Sequence, residues 1–522
     1  MMMEILASVA IGGFILFLVH ILNQMIWKPR LLRFKLLRQG INGPSPHFLL
    51  GNIPEIKRLI HSQLQSTAAI ETNQKNGFIK HDWPFTVFPY YDQWMKQYGP
   101  VFLYSTGNIQ FLSIVDIDIV KEISMYTSLD LGKPVYLSKD RGPLLGQGIL
   151  ASSGPIWAHQ RKIIAPELYM EKVKGMVNLM VDSTKALLTL WESMIERKGD
   201  TAEIRIDQDL RNLSADIISK ACFGSNYIHG KEIFTSLRNL QNIMSKTSIG
   251  IPGFRYIPSK NNREIWRLEK EINSKILNVV NQRILAAREQ DLLQMILDGA
   301  KNACENDGLS SNLIMSRDTF IIDNCKNIFF AGYETTAITA SWILMLLAAY
   351  PDWQTRVRSE VQEICRGGVP DVDMLRSMKT LTMVIQETLR LYSPASFIVR
   401  QALQDIKFKN ILVPKGMNIQ IPISILQQDP ELWGSDAHMF NPDRFANGNV
   451  GATKYPQAYI PFGIGPHVCA GQNLAMIELK VILSLILSRF SFSLSSSYQH
   501  SPAFRLVIEP GNGVVLDMKI IL

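Results

Sequence analysis

The residue with the clearest chemical potential is Cys469, within Pro461-Phe462-Gly463-Ile464-Gly465-Pro466-His467-Val468-Cys469-Ala470-Gly471. A Gly/Pro-rich loop holds this thiol at a fixed point, and an apolar helical run, Asn473 to Leu487, follows directly. Backbone N–H groups and the dipole at a helix N-terminus favour negative sulfur. Phe462 can cover one side of the sulfur, and the glycines let the backbone approach something flat. The plain alternative is a buried free cysteine in a turn. A second chemical run is Ala331-Gly332-Tyr333-Glu334-Thr335-Thr336, inside an otherwise apolar stretch. Glycine costs a helix ~1 kcal/mol against alanine, and a buried carboxylate costs more unless paired. Glu334 and Thr335 therefore read either as a functional acid–alcohol pair or, for Glu334, as an internal salt bridge. In Trp157-Ala158-His159-Gln160-Arg161 the Trp and Arg share a helical face. Alone, that pair is a half-buried Trp beside a surface Arg. Glu387-Thr388-Leu389-Arg390 is by itself an ordinary helical ion pair, worth under ~1 kcal/mol.

In their order and spacing these motifs resemble the cytochrome P450 family. Phe462 to Gly471 is similar to its haem-thiolate loop, Phe-x-x-Gly-x-x-x-Cys-x-Gly. Residues 331–336 resemble its Ala/Gly-Gly-x-Asp/Glu-Thr-Thr/Ser motif without a gap. Glu387-x-x-Arg390 and Phe440-Asn441-Pro442-Asp443-Arg444-Phe445 complete the set, with Asp443 where Glu is commoner. The resemblance covers essentially the whole chain. It implies a mainly α fold with small β-sheets, preceded by an N-terminal transmembrane helix. It also implies haem b, with Cys469 as the axial iron ligand whose electron-rich sulfur favours O–O cleavage. Gly332 would leave room for a diatomic ligand, Thr335 would hydrogen-bond distal oxygen and deliver protons, and Glu334 would feed protons from solvent. Trp157, Arg161 and Arg400 would contact the haem propionates, with Phe462 and His467 completing the cofactor loop. Ala331, Ala337 and Ile338 would line the substrate side, and Glu387, Arg390 and Arg444 would brace the cysteine loop as a buried cluster. One departure stands out: the family usually has Arg where His467 stands. Weaker haem anchoring or a shifted potential is expected, not loss of haem.

The implied activity is that of a membrane-bound monooxygenase. It would use O2 and electrons from NADPH, passed through a cytochrome reductase, to hydroxylate or epoxidise a lipophilic substrate. Retention of Glu334 and Thr335 argues against a rearranging haem-thiolate enzyme and against a non-catalytic haem-binding protein. Residues 157–167, 251–256 and 498–502 look like the plant branch of gibberellin-oxidising, elongated-uppermost-internode-like enzymes. That makes a diterpenoid such as a gibberellin or kaurenoid acid the first substrate, with triterpenoid or cytokinin hydroxylation as the alternative. A carboxylate substrate wants a cation; Arg141 and Arg255 lie in candidate loops, or are simply solvated.

The elements that must position these groups are largely helical. A long apolar helix from about Asp318 to Ala349 carries Glu334 and Thr335, and an all-round apolar helix is a buried one. Pro351 ends it, and Ser393-Pro394 end the helix of Glu387. Helical patterns dominate from Tyr169 to Glu289, and the polar run Cys304 to Asn312 reads as a connector. Val101 to Val115 reads as a hairpin turned at Gly107-Asn108. Leu131 to Ser153, rich in Gly and Pro, reads as a long loop. Lys407 to Ile423 reads as strands, and Phe504 to Ile521 as a hairpin turned at Gly511-Asn512-Gly513 whose tip could reach the substrate. The apolar loop Ile249 to Pro258 dips into a membrane, roofs a channel or caps core.

At the N-terminus, Ile5 to Trp27 is nearly continuous apolar sequence of the length needed to span a bilayer. A signal peptide would want basic residues before it; here Lys28, Arg30, Arg33, Lys35 and Arg38 follow it. A buried core helix is the other rival. The expected division is 1–27 transmembrane anchor, 28–46 basic and proline-rich hinge, and 47–522 haem-binding catalytic domain. By charge asymmetry the bulk of the chain faces the cytosol, here from the endoplasmic reticulum membrane. The formal net charge of +8 suits an anionic membrane or an acidic protein partner. No zinc-finger spacing or long Arg/Lys tract supports nucleic acid. Five scattered cysteines without Cys-x-x-Cys argue against disulfides or zinc.

Overall fold

The computed structural model describes residues 2–71, 79–224, 227–285, 291–305 and 316–521. Its axis is the helix Arg317–Ala349, here the central helix, whose Ser316 side chain caps it by accepting from the Thr319 N–H. Between Phe320 and Ala348 every residue is buried except Ala331, Gly332 and Thr335. Pro351 sits in the first turn of the next helix, Pro351–Cys365, where a missing N–H costs nothing. The helix Ile206–Phe223 packs along the central helix, flanked by Tyr227–Ser245, Lys379–Leu391 and Gln472–Arg489. Gly332 permits the closest of these approaches. A Cβ there would lie 2.5 Å from Ile218 Cδ1 of the Ile206–Phe223 helix.

Strands are few and short. The largest sheet has the order β1 (Val101–Thr106), β2 (Ile109–Ile114), β8 (Asn418–Pro422), β5 (Phe397–Ala402), β3 (Leu131–Gly132). The expected hairpin is β1–β2, in register from Val101 opposite Ile114 to Thr106 opposite Ile109. A second sheet joins β4 (Thr201–Arg205), β12 (Val515–Ile520) and β9 (Phe490–Leu494), and β6 (Ile406–Phe408) pairs with β7 (Ile411–Val413).

Helices dominate from Tyr169 as expected, interrupted by β4, whose alternating exposure suits an edge strand against β12. The C-terminal hairpin is shifted. Strand β11 (Ile508–Pro510) pairs with β10 (Pro502–Phe504), so the tip is 505–507, whereas Gly511-Asn512-Gly513 only redirects the chain. Strand β12 is claimed by β4 and β9, a long-range pairing that no local turn signal announces.

The loop after β3 contains two helical turns, Val135–Lys139 and Gly142–Leu145. Its glycines serve close approach to the central helix. A Cβ at Gly146 would run into the Asp323 carboxylate, and one at Gly148 into Asn327. Asp323, Asn324 and Asn327 accept from the backbone N–H of Gln147, Ile149 and Leu150 at 2.8, 3.1 and 2.8 Å. The polar first turns of the central helix thus pin this loop.

The N-terminal helix Met2–Leu22 continues through a π turn, Asn23–Trp27, into Lys28–Leu37. Among its described side chains Ile5, Val9, Ile11, Phe14, Ile15 and Leu16 are exposed. Among the described residues no helix is long and apolar enough to cross a membrane. In the basic segment Arg33 is buried and donates to the carbonyls of Gly43 and Pro44 at 3.0 and 2.8 Å, fastening the proline run to the helix. Most of the polar connector, residues 306–312, lies outside the described residues.

Candidate active site

Glycine geometry shapes the thiol loop. Gly463 and Gly465 have φ of 84° and 61°, a region other residues rarely adopt. The Cys469 N–H donates to the Phe462 carbonyl at 2.8 Å, closing the loop just before the Gln472–Arg489 helix. Cys222, Cys325 and Cys365 are buried, whereas the Cys469 side chain is open. Burial raises the Cys469 thiol pKa, opposed by the Gly471 N–H and by the charges of Arg161 and Lys133. The opening therefore faces inward, and a coordinating cation would hold the sulfur deprotonated. Among the described residues no three His, Cys, Asp or Glu side chains gather as a metal site, so Cys469 offers one ligand only.

Beside the thiol lies a cluster of cations. Strand β3 pairs Gly132 with Gln401 of β5, which sets Lys133 next to Arg400. Burial lowers the Lys133 pKa well below its ordinary value, and Arg400 and Arg161 lower it further. Burial likewise brings Arg400 to about 10. Arg161 donates to the Val468 carbonyl at 2.8 Å, tying the Gly154–Ile164 helix to the thiol loop. Among the described residues none of Lys133, Arg161 and Arg400 meets a carboxylate. His467 lies against the buried Trp157, ring centroids 3.9 Å apart and planes tilted by 43°. Burial, with Arg400 and Lys133, lowers His467 to about 3, so its ring is neutral. Its Nε2 faces the Leu131 carbonyl at 3.3 Å, which places the proton there; Nδ1 is buried without a partner.

On the central helix, Ala331, Gly332 and Thr335 form the only opening in the buried span 320–348. The Thr335 hydroxyl donates to the Ala331 carbonyl at 2.8 Å, one turn back. Glu334 points the other way, fully buried, into an ion network. Its Oε1 accepts from Arg238 at 2.7 Å and Arg211 at 3.4 Å. Glu509 of β11 takes the same two guanidiniums through Oε2, at 2.6 and 2.8 Å. Glu334 Oε2 has no hydrogen-bond partner. Burial opposes the charge on Arg211, but Glu334, Glu509 and Asp207 raise its pKa overall. Thus the acid and the alcohol, adjacent in sequence, face different surroundings: Thr335 the opening, Glu334 a network of charges.

Glu387, Arg390 and Arg444 gather as expected. Glu387 and Arg390 are fully buried and meet at 2.7 and 2.8 Å, and Arg390 also donates to the carbonyls of Gln427, Ala437 and Met439. Arg444 stands 3.8 Å from Glu387 and pairs more closely with Asp436, at 2.6 Å. Asp443 points outward to Arg356.

Residues 85–516 match the family described as Cytochrome P450. This chain belongs to the cytochrome P450 family. It is 52% identical over 501 residues to cytochrome P450 714C2 of Oryza sativa subsp. japonica, covering 95% of this chain and 94% of that protein. Cytochrome P450 714B3 of Zea mays is 46% identical, covering 98% and 95%, and 714A2 of Arabidopsis thaliana 43%, covering 95% and 95%. In fold it resembles the crystal structure of the cytochrome P450DA heme domain, with a TM-score of 0.69 at 21% identity over 84% of this chain and 94% of that one.

P450 enzymes are monooxygenases whose haem is held by a cysteine thiolate and whose electrons come from NADPH through a reductase. The residues present suit that group. One open thiol lies beside three cations that lack carboxylate partners, which is what a flat apolar macrocycle with two carboxylates requires. Lys133 is a site residue that the sequence does not single out; its only signal is a lone cation between Gly132 and Pro134. Arg211, Arg238 and Glu509 give no local signal as partners of Glu334.

Around the start of β5, Ala395, Phe397 and Val399 are at least partly open. Phe397, Phe88 and Phe504 form a ring trio with centroids 5.0, 5.3 and 5.9 Å apart. The loop after Ser245 docks on the β1–β2 turn. The Gly250 carbonyl accepts from the Asn108 N–H at 2.9 Å, and its N–H donates to Asp140 at 2.9 Å. Arg141 donates to the carbonyls of Met244 and Thr247 at the end of the Tyr227–Ser245 helix, a capping role. Arg255 lies over the exposed Tyr256 ring.

Proposed function

We propose that this chain is a membrane-anchored P450 monooxygenase that hydroxylates or epoxidises a lipophilic plant terpenoid, with gibberellins and kaurenoid acids the first substrate class. The observation that carries the reading is the open Cys469 thiol beside the unpaired cations Lys133, Arg161 and Arg400. In this reading Cys469 ligates the iron, and Trp157, Arg161, Arg400 and Lys133 hold the propionates. His467, as a neutral ring donating to Leu131, steadies the strand that presents Lys133. Phe462 shields the sulfur. Bound haem supplies oxygen activation. Thr335 retains acceptor lone pairs toward the opening and passes protons there, while the absent Gly332 side chain makes way for Ile218 of the neighbouring helix. Glu334 contributes through Oε2, the oxygen that neither guanidinium occupies.

The substrate reading is supported by Phe397 and Phe504, partly accessible aromatic rings backed by the buried Phe88, which suit an apolar ring system, and by identity to the 714 series of plant P450s. For an acid substrate Arg505, partly exposed at the β10–β11 tip, is a suitable cation, with one donor engaged by Glu509. The exposed apolar side chains of the Met2–Leu22 helix support an anchor in the endoplasmic reticulum with the catalytic domain in the cytosol. The basic balance supports docking of an acidic reductase.

The test is product identification by mass spectrometry from membranes containing the protein and a reductase, offered gibberellins, kaurenoid acids, triterpenes and cytokinins. An oxidised diterpenoid acid is expected. A product from triterpenes or cytokinins alone would replace the substrate class. Absence of the thiolate-type carbon-monoxide spectrum, or its survival in Cys469→Ala, would overturn the ligand.

A further inference from the structure

A row of aromatic and imidazole side chains behind the site has no part in the chemistry described so far. Trp342 lies seven residues beyond Thr335, two helical turns and ~10 Å along the same face of the central helix. Its indole stacks on Tyr392, centroids 4.3 Å apart at 21°. A second indole, Trp83, lies nearly parallel to Tyr392 at 6.1 Å. The Tyr392 hydroxyl sits between two imidazoles, His81 Nδ1 at 2.7 Å and His500 Nε2 at 3.1 Å. Beyond them, His81 Nε2 meets the Tyr350 hydroxyl at 3.0 Å and His500 Nδ1 meets the Tyr498 hydroxyl at 2.8 Å. Burial lowers His81 to about 3 and His500 to about 4, so both rings are neutral. A neutral ring has one N–H and one lone pair. The five groups therefore align head to tail, and Tyr392 donates to one imidazole while accepting from the other. Both ends, Tyr350 and Tyr498, are only half-buried.

Filling a core needs none of this. Phe would stack as well as Tyr392 and would leave no buried polar groups to satisfy. A phenol between two indoles, with a neutral base at hydrogen-bond distance, is suited instead to losing one electron together with one proton.

We propose that Trp342 and Tyr392 form a one-electron exit that drains an oxidising equivalent left at the haem when no substrate consumes it; the proposal rests on the P450 chemistry established for the chain. The Trp342 indole gives up one electron toward the haem and is refilled from Tyr392. The Tyr392 O–H bond breaks, and its proton forms an N–H bond at whichever nitrogen, His81 Nδ1 or His500 Nε2, holds the lone pair. Tyr392 is thereby oxidised by one electron and the haem centre reduced by one. At Tyr350 or Tyr498 a small thiol returns the electron, releasing a proton as it becomes a thiyl radical, and the imidazole hands its own proton back to Tyr392; the thiyl radicals of two such cycles join as one disulfide.

The experiment uses the full-length haem-loaded protein, without substrate, mixed with a peracid and freeze-quenched for electron paramagnetic resonance. A tyrosyl signal is expected, narrowed when the protein is made with ring-deuterated tyrosine and largely lost in Tyr392→Phe. Haem bleaching should become severalfold faster in that variant. Trp342→Phe should slow appearance of the signal, and Phe at 350 or 498 should slow its decay under added thiol. An unchanged signal and bleaching rate in Tyr392→Phe overturns the proposal. If that variant does not retain haem, a wild-type signal indifferent to ring deuteration overturns it equally. Failure of the haem assignment itself would show separately, as a missing thiolate carbon-monoxide spectrum.

Discussion

Arg238→Gln tests the charge network around Glu334. Arg238 holds Glu334 at 2.7 Å and Glu509 at 2.6 Å, and both carboxylates are fully buried. Without it Glu334 keeps only Arg211, through the longer contact of 3.4 Å, while Glu509 keeps Arg211 and Arg505. Removing one partner of a buried pair costs about 3–5 kcal/mol, because the remaining charge is left uncompensated. The Arg238 side chain is 20% exposed, so water reaches the gap and the low end, ~3 kcal/mol, applies. Adding Glu509→Gln restores the balance of charge and should return more than half of that loss, a coupling within the ~0.5–3 kcal/mol range seen for neighbours in one network. The assay is the half-life of the thiolate carbon-monoxide spectrum at fixed temperature, with urea unfolding followed by circular dichroism. The reasoning fails if Arg238→Gln is as stable as wild type, or if the double variant loses the sum of the two single losses. Arg238→Lys, which keeps the charge but not the fork, should fall between.

Lys133→Gln should speed haem loss to an apo-globin acceptor, with Lys133→Arg restoring retention; equal rates for all three would remove Lys133 from the site. His467→Arg should leave haem content equal or higher, and a clear fall would give the neutral ring a role of its own. Burial raises Glu478 from 4.5 to about 8, with Ser214 donating to it. The folded state therefore keeps a proton that the unfolded chain releases above 4.5, and stability declines as pH rises from 4.5 through about 8, by ~5 kcal/mol at most. Glu478→Gln should flatten that slope in urea titrations at successive pH values. Thr335→Ala should reduce product formed per NADPH consumed, roughly 100-fold for a lost proton-transfer group; intact coupling would refute its role.

Much was legible because local chemistry is written locally. The Gly/Pro loop around Cys469 needs only its own positive-φ glycines and the helix after it. The Glu387–Arg390 pair needs one helical turn. The apolar span of the central helix announces burial whatever surrounds it. The β1–β2 hairpin likewise follows from its own turn.

Partnership over long sequence distance was not legible. By itself the sequence determined the haem-type thiol loop, the buried helix with its acid and alcohol, and the helical class of the fold. Tertiary structure alone decided where those groups point. It turned Glu334 away from the opening, between Arg211, Arg238 and Glu509 from three other elements. It brought Lys133 to the cation cluster through the pairing of β3 with β5, and it moved the C-terminal hairpin tip to 505–507 by giving β12 to β4 and β9. The physical reason is common to all three. A buried charge or an unpaired strand takes whichever partner the packed fold places within reach, and that partner is set by the fold's topology.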